Sequence, residues 1–227
     1  MPELPEVETI KRVLEPQIKG LKIMNITVEK PEVISRPTAD EFCNLLIGQQ
    51  ISSVSRRGKF LIIHTDGRDN IILHLRMTGC LLVTPTDYPQ EKHTHVIFHL
   101  DNGTELRFSD TRRFGRFWLI RKDEADTYSG IDKLGLEPFD DSLLGKRKKT
   151  VKERLLDQSI VAGIGNIYSD EILFAAGIYP ARPANSLNEK EWKRLAVVIP
   201  KQLQFFIEKN ALTPEDYLKS KGQNYRN

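Results

Sequence analysis

The spacing of apolar residues changes character part-way along the chain. Near the start, Val7, Ile10, Val13 and Leu14 recur at helical spacing. They follow Pro5, which suits a first helical position because its missing N–H costs nothing there. Glu6 and Glu8 fall in the first turn, where the helix dipole favours negative charge, and Pro16 is expected to end the helix. From residue 21 to 121 the pattern shortens to strand-length runs: "KIMNITVE", "FLIIHT", "NIILHL", "CLLVT", "HVIFHL", "ELRFSD" and "RFWLIR". "HTDGRDN" and "HLDNGTE" set Asp-Gly and Asn-Gly between apolar runs, which predicts hairpins and an antiparallel sandwich or barrel. Inside this region "TADEFCNLL" (38–46) reads as a helix capped by Thr38, with Glu41 at the capping-box position.

Residues 130–145, "GIDKLGLEPFDDSLLG", hold three glycines and a proline without a clear period, and read as a linker. Beyond them "KTVKERLLDQ" and "IYSDEILFAAG" are amphipathic, and "NEKEWKRLAVVIPKQLQFFIEKN" is a long helix that Pro200 is expected to kink. The expected fold is α+β in two domains. An antiparallel β-sandwich flanked by helices occupies 1–134, a linker 135–145, and an all-α domain 146–227.

Composition narrows the class. Hydrophobic residues at 39% with 29% charged describe an ordinary soluble globular protein, and no apolar run reaches the length of a membrane span. The first residues show neither a basic n-region nor an apolar h-region. Cys43 and Cys80 are far apart, which excludes a cysteine-based zinc site and a disulfide framework and fits a reducing cytoplasm. Net charge is +3, but the clustering says more. Arg107 to Lys122 carries six basic residues against Asp110 alone, and Lys146 to Arg154 six against Glu153 alone. Concentrated positive patches on a nearly neutral chain suit a polyanion surface, although a solvated charged face explains either cluster taken singly.

Several short stretches could carry chemistry, each with a plain structural alternative. In "VAGIGNIYSDE" (161–171) Gly163 and Gly165 allow tight turns, and Asn166 can cap a helix whose free N–H groups would bind phosphate. It is not a dinucleotide fingerprint, because Tyr168 stands where a third glycine is needed; a structural turn is the alternative. "SDTRRFGRF" surrounds Phe114 with arginines, Arg112 among them, as a wedge into stacked bases requires; a hairpin tip with solvated arginines looks the same. "HLRMTG" runs from His74 to a turn with Met77, a flexible side chain that could insert or merely fill core. Lys59 in "SRRGKF" and Lys149 in the second basic cluster are candidate phosphate contacts. His93, His95 and His99 share one face of a strand whose opposite face is apolar. Without a carboxylate or cysteine at ligand spacing, that face is read as the solvent or DNA side rather than a metal site. Pro2 and Glu3 remain. With Met1 removed, Pro2 would present a secondary amine with a pKa of about 8, partly neutral and nucleophilic. Attack on an aldehydic carbon would give an iminium, an electron sink for β-elimination, with Glu3 handling protons. The alternative is an unremarkable terminus before a helix.

Taken in order, "PELPEVET", "RRGKFL", "HLRMTG", "DTRRFG", "LGLEP" and "AGIGNIYSDEILFAAGIYP" closely resemble the bacterial formamidopyrimidine-DNA glycosylases, over residues 2 to about 227. The resemblance implies a β-sandwich followed by a helix–two-turns–helix domain, and removal of 8-oxoguanine and ring-opened purines from duplex DNA. It implies that Pro2 attacks C1′ of the damaged nucleotide, that Glu3 assists as acid/base, and that Glu6 is a second active-site glutamate. Lys59 would contact the phosphates flanking the lesion. Met77, Arg112 and Phe114 would fill the gap left by the extruded base, and Asn166 would bind phosphate. His74, His93 and Lys149 complete the expected DNA contacts. "LTPEDYLKSKGQNYRN" resembles the start of a loop that closes over the flipped base. The family's zinc finger has no counterpart before Asn227, so the expectation is a chain without zinc or other cofactor, with weakened DNA affinity. A monomer acting on DNA in the bacterial cytoplasm, with no membrane partner, is expected. Two rivals stay open: an endonuclease VIII-type enzyme for oxidised pyrimidines, which usually differs where this chain has Leu4, and a non-catalytic DNA-binding module.

Overall fold

The computed structural model describes residues 1–139 and 149–222. Residues 140–145 of the expected linker, together with 146–148 and 223–227, lie outside the described residues. The chain runs α1 (Leu4–Ile18), β1 (Ile23–Val28), β2 (Ile34–Arg36), α2 (Ala39–Leu46), β3 (Ile51–Arg57), β4 (Phe60–Thr65) and β5 (Asp69–His74). It continues with β6 (Gly79–Pro85), β7 (Thr94–Leu100), β8 (Thr104–Asp110) and β9 (Arg116–Arg121), and then helices α3 (Val151–Leu156), α4 (Asn166–Ala176), α5 (Glu189–Lys209) and α6 (Pro214–Lys219). Two sheets, in the orders β1-β7-β8-β6 and β2-β9-β5-β4-β3, stack as a sandwich. Within these two sheets, among the described residues, every strand pairing is antiparallel except the short β2–β9 contact, which is parallel.

Two helices close the open sides of this sandwich. α1 packs on β3 and β6, one edge strand from each sheet, and α2 packs on β1 and β2, the opposite edges. That arrangement covers the unpaired rims that a sheet otherwise exposes. Thr38 and Glu41 form the expected capping box on α2, which drops Phe42 into the core edge-on to Phe98 and Phe117. α1 does not stop at Pro16. The ring removes one N–H, but Ile18 is fully buried beyond it and the Gln17 side-chain amide donates to the Val13 carbonyl at 2.7 Å. Packing of the last turn outweighs the lost backbone bond.

In the second half, α3, two turns and α4 pack with α5 around their own core. α5 continues through Pro200 because Leu195, Ile199, Leu203 and Ile207 form a fully inward stripe at four-residue spacing. α6 then returns to the sandwich. Tyr217 is 1% exposed in the first core, and its hydroxyl donates to the Leu81 carbonyl on β6 at 2.9 Å. Among the described residues no helix is long and apolar enough to cross a membrane. Replacing Phe42 by Ala should remove the keystone of the α2 closure and cost about 3–5 kcal/mol, measured by urea unfolding; a cost under about 1 kcal/mol would refute that role.

Candidate active site

Segments far apart in sequence meet at the N-terminus of α4. The Glu3 carboxylate accepts hydrogen bonds from the backbone N–H groups of Gly165 (2.7 Å), Ile167 (3.1 Å) and Tyr168 (3.3 Å). A first helical turn leaves such donors without intrahelical partners, and its dipole favours an anion there. The contact needs glycine at position 165, where an added Cβ would lie 2.4 Å from Glu3 Cδ. Gly163 serves the same junction with a φ of +95°: its carbonyl accepts the Leu4 N–H at 3.0 Å, and a Cβ there would meet Leu4 at 2.6 Å. The expectation that Asn166 caps α4 over free N–H groups is therefore corrected. Gly165 is the cap residue, Asn166 is the exposed first helical residue, and Glu3 already holds the donors.

Glu6 lies one turn into α1. Its Oε2 accepts the Glu3 N–H at 2.8 Å, and its Oε1 accepts the Tyr168 hydroxyl. Burial raises the Glu6 carboxyl above its ordinary range, against the pull of these hydrogen bonds. Burial, and then the neighbouring Glu6, raise the Tyr168 phenol. Pro2 is buried between Met1, which is exposed, and Glu3.

Lys59 sits in the two-residue turn between β3 and β4. Glu137 fixes that turn: its Oε1 accepts the Gly58 N–H at 2.7 Å and Arg57 at 3.0 Å, and its Oε2 pairs with Arg56 at 2.8 Å. Arg56 also reaches Glu8 on α1 at 3.1 Å. Burial pushes the Lys59 ammonium down, while Glu3 and Glu6 pull it partly back. His74, at the end of β5, accepts the Arg76 N–H on Nδ1 at 3.0 Å, so its proton is on Nε2. Burial, with Arg76 and Lys59 adding, holds this imidazole neutral, its pKa lowered from 6.5 to about 3.

A cleft of about 530 Å³ opens beside these groups, lined by Met1, Glu6, Met77, Ile167, Tyr168 and Phe206. Met77, 40% exposed, stands on the β5–β6 turn, and Phe114, 51% exposed, on the β8–β9 loop. The Arg112 guanidinium lies 5.5 Å from the Phe114 ring centre. The structure thus brings Glu3, Glu6, Lys59 and His74 together, with Pro2 attached, and sets Met77 at the cleft.

His93 lies beside Thr78 and Asp110, its carbonyl accepting the Asp110 N–H at 3.0 Å, and Lys149 sits just before α3. Lys149 is exposed and pairs with Asp157 at 3.2 Å, and His93 precedes β7 on the sandwich. The histidine face of β7 is not a solvent face. His95 is 4% exposed and donates from Nε2 to the Asp110 carbonyl at 2.7 Å, while His99 bonds Thr27 and Glu105. The segment after β6 covers this side, with Arg107 donating to the carbonyls of Tyr88 and Pro89. Sequence reasoning missed Tyr168 and Glu137 as site residues. Their signal lay inside the quoted motifs "GNIYSDE" and "LGLEP", but their partners are remote in sequence.

Two family models match the chain: "Formamidopyrimidine-DNA glycosylase N-terminal domain" over residues 1–117 and "Formamidopyrimidine-DNA glycosylase H2TH domain" over residues 132–216. The chain belongs to the formamidopyrimidine-DNA glycosylase family. It is 46% identical to the formamidopyrimidine-DNA glycosylase of Moorella thermoacetica, across 98% of this chain and 84% of that protein. It also resembles the Lactococcus lactis family member, Fpg, solved with abasic-site DNA, with a TM-score of 0.85 and 38% identity over 92% of this chain and 80% of that one. The same enzyme solved with N7-benzyl-Fapy-dG DNA matches with a TM-score of 0.85 and 38% identity over 93% and 81%. For the zinc that the family resemblance implies, the described residues offer no group of three or more His, Cys, Asp or Glu placed to hold a metal ion. Cys43 lies on α2 and Cys80 on β6.

The depressed His74 value carries a sign. The folded state keeps the imidazole neutral, so its contribution is fully present above about pH 6.5 and is lost as pH falls toward about 3. Between pH 6.5 and 5 the wild type should lose about 1–2 kcal/mol more than His74→Gln, measured by urea unfolding at each pH. Parallel curves for the two proteins would show that His74 is not held neutral.

Proposed function

We propose that this chain is a DNA glycosylase and abasic-site lyase of base-excision repair, removing oxidised and ring-opened purines from duplex DNA. The observation that carries the reading is the buried Pro2–Glu3 terminus docked on α4, with Glu6 and Lys59 beside it and a cleft leading to it. A C1′ atom inside a stacked duplex is out of reach of a buried amine, so the nucleotide must be extruded. Met77, Arg112 and Phe114 occupy the gap it leaves, and Asn166 and Lys59 hold backbone phosphates.

Met1 acylates the nitrogen of Pro2, so the reactive chain begins at Pro2. Its secondary amine attacks C1′. The N–C1′ bond forms as the glycosidic bond breaks, and the base departs with a proton. The ring oxygen O4′ takes a proton as the sugar opens to an iminium. Loss of a C2′ proton then expels the 3′ phosphate, and water releases the unsaturated aldehyde from Pro2. Glu3 and Glu6 handle these protons, Glu6 suited by a carboxyl that burial raises. The reaction takes place in the cytoplasm, on the nucleoid, and needs no cofactor in this chain.

Borohydride added during incubation with 8-oxoguanine duplex should trap a covalent adduct through Pro2, located by peptide mass. A chain that keeps Met1, and Pro2→Gly, should lose it. A gel shift with no trapped adduct for the mature wild type would instead support a non-catalytic DNA-binding module, and faster release of oxidised pyrimidines than purines would support the endonuclease VIII-type reading. Gly165→Ala should cut trapping by roughly a hundredfold by displacing Glu3, the scale that 1 Å misplacement of a catalytic group costs; unchanged trapping would detach the Glu3–α4 contact from the chemistry.

A further inference from the structure

We propose that Asp110 is a positioning residue that locks Met77, Arg112 and Phe114 into one wedge. The inference rests on the glycosylase reading above and adds what holds the wedge together. Asp110 ends β8 and is 1% exposed. Its Oδ1 accepts the Thr78 hydroxyl and the Arg112 N–H (3.1 Å), and its Oδ2 accepts the Gly115 N–H (2.8 Å). Thr78 Oγ1 also accepts the Arg112 N–H at 3.2 Å. Thr78 follows Met77, while Arg112 and Gly115 bracket Phe114. One buried carboxylate therefore joins the β5–β6 turn to the β8–β9 loop.

The backbone of the same residue anchors this junction to the sheet. Its N–H donates to the His93 carbonyl at 3.0 Å, and its carbonyl accepts from His95 Nε2 at 2.7 Å and from the Arg113 N–H at 3.3 Å. Both loops hold a non-glycine residue in the left-handed region, Arg76 at φ 56° and Arg113 at φ 55°. Such conformations persist where the surroundings over-determine them. The tips themselves stand partly in solvent, Met77 40% and Phe114 51% exposed. Their relative placement depends on the main chain, and Asp110 ties the two main chains.

The chemistry favours a carboxylate over an amide. Three donors converge on two oxygens, whereas an asparagine would turn an NH₂ group toward one of them. The bonding partners are N–H and O–H groups, which leaves the Arg112 guanidinium over the Phe114 ring. Side chains that must enter a base stack together incur less ordering cost when their loops are already in register.

The test compares the mature wild type, Asp110→Asn and Thr78→Val on two substrates under single turnover. One is a duplex with 8-oxoguanine, which requires extrusion. The other is a single strand with an abasic site, which does not. Asp110→Asn should slow excision from duplex roughly tenfold or more. Adduct trapped on the single strand should stay at the wild-type level. 2-Aminopurine placed beside the lesion should lose its fluorescence rise on binding. Thr78→Val should shift the duplex reaction the same way by a smaller factor, and serves as the readout if Asp110→Asn melts early. Equal losses on both substrates, or no loss on duplex, would overturn the proposal. A wild type that forms no adduct on either substrate would sink the glycosylase reading instead; the 2-aminopurine signal would then decide the wedge, and an unchanged signal in the variants would end it.

Discussion

The carboxylate of Glu3 on the N–H groups of Gly165, Ile167 and Tyr168 is the contact from which the rest of the site follows. A chain terminus ordinarily frays. Here a side chain at position 3 satisfies the first turn of a helix more than 160 residues away, so the terminus takes its place from the helical half of the molecule. Pro2 is placed by its covalent bond to Glu3. Glu6 closes the arrangement, accepting the Glu3 N–H and the Tyr168 hydroxyl from the two halves at once. Lys59 reaches the same point through Glu137, which ties its turn to the segment leading into the helices. The two halves therefore share one polar core, and separating them would dismantle the site.

This core also answers an electrostatic problem. A surface that meets DNA should present cations and hide anions. Among the described residues, Glu3, Glu6 and Asp110 are 4%, 6% and 1% exposed, and each is bonded by N–H or O–H groups. Arg112 and Arg113 point outward, exposed. A buried carboxylate bonded by backbone donors fixes the chain in place and puts little negative field on the outer face. The lone acid in the basic stretch 107–122 is thus an internal fastener, not a partial neutraliser of it.

How much of this was legible in the sequence depended on whether the partner was local. The Asp-Gly and Asn-Gly hairpins, the Thr38 capping box and the apolar stripe of α5 are short-range signals, and each folds as its spacing indicates. β3 escaped notice because "ISSVSRR" is polar at most positions, and it forms by pairing with β4 as one rim of the sandwich under α1. Pro16 looked like a helix end because nothing nearby shows that Ile18 is buried. The terminal motif was readable, yet Glu3 had no folding explanation until α4 was in place. His95 was misread for the same reason, since the carbonyl that takes its Nε2–H belongs to Asp110, at the end of another strand.

The site divides into a centre and a mouth with opposite physical requirements. Glu3, Glu6, Lys59 and His74 are each less than a tenth exposed, so their charges and hydrogen bonds are set before any ligand arrives. Pre-set dipoles in a poorly solvated centre need no reorganisation as charge develops on a reacting sugar, and that favours catalysis. The mouth cannot be built this way. The side chains proposed to enter the base stack must be exposed beforehand, and exposed loops cost more to order on binding. Buried anchors reconcile the two demands, leaving the apolar tips in solvent while the main chain beneath them is held as firmly as the core.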